Sequence, residues 1–146
     1  MIPLVISSHF FLVPAYIAFK NSYYGYATIS LITTIVSVNF WRNPIPGFRR
    51  NLDLVVAKIS FTIYFLNGLS NVLNNRTNIV SSNLPAILIC YYASNVLSKY
   101  NLPEWTIFHF MFHFFVAYEQ ILVFSGSRGN FYIPLGGMRE GLLMRG

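Results

Sequence analysis

The chain has 146 residues, of which 55% are hydrophobic, 18% aromatic and only 10% charged. Soluble domains carry roughly a quarter of charged residues, so a water-soluble globule is excluded and an integral membrane protein is expected. Ten Lys and Arg against four Asp and Glu give a net charge of +6; these side chains lie between apolar segments and form no dense patch, which favours lipid headgroups as partners and argues against nucleic acid.

In chain order, the first apolar segment covers 2–19 and the second 23–41, separated by Lys20 and Asn21. Each is roughly 27–29 Å long as a helix, enough to cross a ~30 Å hydrocarbon core. The N-terminus has no basic region before its apolar run, so it reads as a retained span and not as a signal peptide. Pro14 predicts a kink in the first helix. The stretch R-N-P-I-P-G-F-R-R-N, Arg42 to Asn51, cannot be helical throughout and carries three arginines, as a headgroup-level connection would. A third span is expected over 52–73, a fourth over 79–97 with Pro85 inside it, and a fifth over 105–124 with Trp105 at its edge as an interfacial anchor.

The fold class is therefore all-α: a transmembrane domain over 1–125, a bundle of about five helices, followed by an irregular basic tail over 126–146. The tail's glycines preclude a long helix, and Arg128, Arg139 and Arg145 keep it out of the bilayer. It is read as a contact for other protein subunits, while Arg42, Arg49 and Arg50 face headgroups. That short three-arginine loop places the N-terminus on the cytoplasmic side. The sequon Asn75-Arg76-Thr77 falls on the opposite face, in a loop too short for glycosylation. Cys90, the single cysteine, packs as a small hydrophobe.

Polar residues follow helical periodicity within these spans. His109, His113 and Gln120 fall within about 40° of one another on the fifth helix. Two imidazoles one turn apart in so apolar a segment must be hydrogen-bonded or metal-bound. The third helix carries Asp53, Ala57, Ser60, Tyr64, Asn67 and Asn71 on one face, with Lys58 pointing away. The second carries Ser30, Thr33, Thr34, Ser37 and Trp41, and the first His9 and Tyr16. Such stripes suit interhelical hydrogen bonding. A metal site predicts that the histidines and Asp53 converge; a structural role predicts separate bonds to different helices.

Ser37, Asp53 and the late H-x-x-x-H of His109 and His113 together resemble the CREST superfamily, the membrane hydrolases and receptors that include alkaline ceramidases. One turn after the serine, where that family has histidine, this chain has Trp41. The resemblance implies a zinc-dependent lipid amidohydrolase in which His109, His113 and His9 bind Zn²⁺, Asp53 orients or activates water, and Ser37 stabilises the oxyanion. By composition and size the chain also resembles small multipass proteins of large DNA viruses with an internal membrane, which implies a virion membrane component. The leading expectation is a non-catalytic structural or anchoring protein of a larger membrane assembly, with no cofactor. Zinc hydrolase is the alternative, and a small transporter or channel subunit the second alternative.

Overall fold

Leu4, Ser7, Ser8, Phe11, Ala15 and Ala18 recur at helical spacing and form the buried stripe of the first rod in a computed structural model that describes residues 2–74 and 83–126. This rod comprises α1 (Ile2–Ser8), a 3₁₀ turn (His9–Phe11) and α2 (Leu12–Lys20). Pro14 has no N–H to offer the Phe10 carbonyl. The chain responds by tightening over His9–Phe11, and the Leu12 amide takes up the carbonyls of His9 and Phe10.

A turn with Ser22 at φ 63°, closed by the Tyr23 amide donating to the Ala18 carbonyl at 2.8 Å, leads into α3 (Tyr24–Trp41). The Arg-Pro connection then ends sooner than expected. Gly47, at φ 144°, turns the chain so that α4 (Phe48–Leu73) begins four residues ahead of the apolar run at 52 and reaches 26 residues. α5 (Leu84–Lys99) starts later than the expected 79. Asn83 precedes it and Pro85 lies in its first turn, not inside the helix, where a missing N–H costs nothing. Asn101, at φ 56°, makes the turn into α6 (Trp105–Gly126).

Regular structure among the described residues is helical throughout. Three helical rods are long and apolar enough to cross a membrane: Ile2–Lys20, Phe48–Leu73 and Trp105–Ser125. α3 and α5, with 18 and 16 residues, are the shorter or less apolar pair. The tail, with Arg128, Arg139 and Arg145, and the sequon at 75–77 lie outside the described residues.

α6 is the axle of the bundle, packing against α1, α2, α4 and α5, while α3 packs against the first rod and α4. Aromatic contacts set the register. At one end Trp41 meets Trp105 and His109, and Phe10 meets Phe110. At the other, Tyr23 and Tyr26 meet Phe124. The N-terminus, the 42–47 connection and the α5–α6 turn thus share one end, and the α2–α3 turn and the start of α5 share the other. Gly68 lets α4 approach α6 closely: a Cβ there would sit 3.3 Å from Val123 Cγ2.

Candidate functional site

Because α4 leans on α3 and α6 while α5 leans mainly on α6, α4 and α5 diverge and leave a cavity of about 620 Å³ between them. Its walls are apolar for most of their length, with Ala57, Phe61 and Leu69 from α4, Ile87 and Tyr91 from α5, and Phe112 from α6. One end is polar. There Ser37 and Trp41 of α3, Arg50 and Asp53 of α4, Ser94 and Ser98 of α5, and His109 and His113 of α6 all border the same space.

Four of the polar groups at this end, Ser37, Ser94, His109 and His113, have a hydrogen-bond partner. Ser7 Oγ and His113 Nδ1 form a hydrogen bond of 2.8 Å, and Ser94 Oγ and His109 Nδ1 one of 3.1 Å. The two histidines are therefore tied to different helices, α1 and α5. Ser37 Oγ lies 3.1 Å from Ser8 Oγ and borders the cavity together with Asp53. Trp41 packs its ring 4.9 Å from that of His109, and its indole N–H is buried with no acceptor among the described residues.

Further along the bundle, Ser30 donates to Gln120 Oε1 at 3.0 Å and pairs with the Tyr64 hydroxyl at 2.8 Å, while Asn71 donates to the Val123 carbonyl at 2.7 Å. Glu119, off the histidine line, accepts from the Asn83 backbone amide at 2.8 Å. A carboxylate there complements the N-terminal dipole of α5.

The expected residues thus separate into groups. Ser37, Asp53, His109 and His113 are gathered at one cavity end, with Arg50 beside them. His9 is not: it is exposed and its Nδ1 bonds the Val5 carbonyl at 2.7 Å. Tyr16, on the same face, is 62% exposed. Arg42 and Arg49 are exposed beside the cavity end. The polar residues that the first rod turns inward are Ser7 and Ser8, both 0% exposed, and sequence reasoning passed over them. The apolar stripe of Leu4, Phe11, Ala15 and Ala18 is the signal that places them inside.

Zinc does not fit this set. Two imidazoles, 4.8 Å apart between ring centroids, supply two ligands, and the third ring beside them is Trp41, whose nitrogen carries a proton and has no lone pair to give. Among the described residues no three His, Cys, Asp or Glu side chains are grouped to hold a metal. Serine chemistry is also poorly served. Ser7 has a histidine but does not border the cavity. Ser94 does border it, yet the ring contacts of its partner His109 are Trp41, Trp105, Phe112 and His113. A nucleophile needs a base that a third group orients, and that aromatic box provides none. The arrangement is equipped to bind.

Fold and site together define an all-helical protein with membrane-length helices and a polar-ended cavity between two of them. No family model matches the chain, and neither the curated proteins nor the solved structures contain a match.

Proposed function

We propose that this protein is a non-catalytic, five-span integral membrane protein that holds one lipid acyl chain in the cleft between α4 and α5. The volume of the cleft carries this reading. At about 620 Å³ it falls within the ~300–1,000 Å³ of small-molecule sites. The apolar walls suit a hydrocarbon tail, and the polar end sits beside Arg42, Arg49 and Arg50, where a headgroup would lie. Through these arginines and the basic tail, the protein would dock to lipid and to a neighbouring subunit of a larger assembly, which is an anchoring role.

The test is lipid retention. Native mass spectrometry of gently extracted protein is expected to show about one lipid per chain. Ala57→Trp, which puts an indole into the cleft from an exposed position, is expected to remove it while leaving the helical content unchanged. Retention of lipid by the Trp variant would sink the reading. The zinc-hydrolase alternative draws on the gathering of Ser37, Asp53, His109 and His113 at one end; stoichiometric zinc in the wild-type protein, lost in His113→Ala, would revive it.

A further inference from the structure

Moving an acyl chain from the bilayer into the cleft gains little, because lipid tails are as apolar as the walls. Selectivity must come from the polar groups, and the larger set of them lies at the end that holds Asp53. Resting on the cleft reading, we infer that this end is a zwitterionic headgroup site in which Asp53 takes an ammonium and Arg50 a phosphate. The two side chains sit three residues apart, so they share one helix face, and both border the cavity mouth. Asp53 is half-buried and borders the cavity along with the Ser37 hydroxyl. One hydroxyl leaves most of a carboxylate's roughly four acceptor sites open, and a carboxylate at this depth is costly without a cation. Arg50 is exposed at the membrane edge, with the fork geometry that phosphate oxygens fit.

A second observation points the same way. The Trp41 indole, only 8% exposed and bordering the same cavity end, has a buried N–H with no acceptor among the described residues. Buried donors are nearly always paired, and a tilt of the ring, whose nitrogen has almost no accessible surface as it stands, would bring this one to a phosphate or glycerol oxygen. Acid, guanidinium and indole N–H match the ammonium and the oxygens of a phosphoethanolamine-type headgroup, and a headgroup with phosphate but no ammonium satisfies only part of the set.

The experiment titrates purified protein with two single-chain lipids of equal length, lysophosphatidylethanolamine and lysophosphatidylglycerol, read by native mass spectrometry. The wild type is expected to prefer the ethanolamine lipid by about tenfold, the size of one charge-assisted hydrogen bond. N-acetylation of that lipid, which removes its charge, should abolish the preference in the unmodified protein. Asp53→Asn, which keeps the side-chain shape, should do the same, and Arg50→Gln should weaken both lipids alike. Equal affinity for the two lipids in the wild type, or a preference that survives N-acetylation or Asp53→Asn, would overturn the headgroup assignment and leave the cleft reading intact. Arg50→Gln binding like the wild type would overturn the phosphate contact. Binding of neither lipid would overturn both readings.

Discussion

Trp41 sits against Phe40, Trp105 and His109, with ring centroids 4.6, 6.1 and 4.9 Å away. Its ring stands where a third imidazole would be needed beside the two close histidines. Replacing it supplies what is missing. Trp41→His places a third imidazole beside His109 and His113, and the expected outcome is about one bound zinc per chain by elemental mass spectrometry, absent from the wild type. No zinc in the variant would mean that the His109 and His113 rings are too firmly held by Ser94 and Ser7 to turn toward an ion. That hold can be measured separately. Ser7→Ala leaves the buried His113 Nδ1 without its partner at 2.8 Å and is expected to destabilise the protein by about 1–3 kcal/mol, read as a lower melting temperature in detergent. At this scale the sequence was partly legible. The i, i+4 histidines and the Ser37 stripe announced a polar layer, because helical periodicity shows which residues share a face. Periodicity cannot show which helix supplies the partner, and so Ser7, Ser8 and Ser94 were missed and His9 was turned to the wrong side.

The seam between α4 and α6 governs how wide the cleft is. It is closed at one point by Gly68, whose missing Cβ accommodates Val123 at 3.3 Å, and by the bond from Asn71 to the Val123 carbonyl at 2.7 Å. Gly68→Val adds three carbons where one already crowds its neighbour, so α4 must shift outward. The expected result is a destabilisation of about 1–3 kcal/mol from overpacking, with weaker lipid retention because the cleft changes shape. Unchanged lipid binding and melting would mean that the seam is softer than its geometry implies. Helix ends were less readable than helix faces. α4 starts at Phe48 because Gly47 adopts a backbone conformation that side chains disfavour, and apolarity alone begins only at 52. The start of α5 was in view, since Asn83 followed by Pro85 is a helix-start signal, but the longer apolar run from 79 masked it.

Summed hydropathy picks out three rods as membrane-length, yet the faces of α3 and α5 argue for five crossings. Across the middle of α3, between the buried Tyr26 and the buried Phe40 and Trp41, the residues turned inward are polar: Ser30, Thr33, Thr34 and Ser37 are at most 7% exposed. Those turned outward are apolar, with Leu31, Ile32 and Ile35 at 45, 41 and 59%. α5 shares the outward half of the pattern, with Leu88, Ile89 and Tyr92 exposed, while its inner face combines Ser94 with Ile87 and Cys90. The α3 arrangement is the reverse of a helix packed against a core in water. It lowers mean hydropathy without weakening the lipid-facing surface, because the inward hydroxyls are satisfied within the bundle, as when Thr33 and Thr34 donate to the Ile29 and Ser30 carbonyls at 2.8 and 2.9 Å. Cysteine accessibility in sealed vesicles decides the matter. In a Cys90→Ala background, Asn43→Cys and Asn101→Cys are expected to react from one side with a membrane-impermeant maleimide, and Ser22→Cys from the other. If α3 lies outside the bilayer, positions 22 and 43 will label from the same side. A bundle of five crossings then closes the cleft to water on its long flank and opens it to lipid, the condition under which an exposed flank on α4 and α5 is a route of entry and not a site of aggregation.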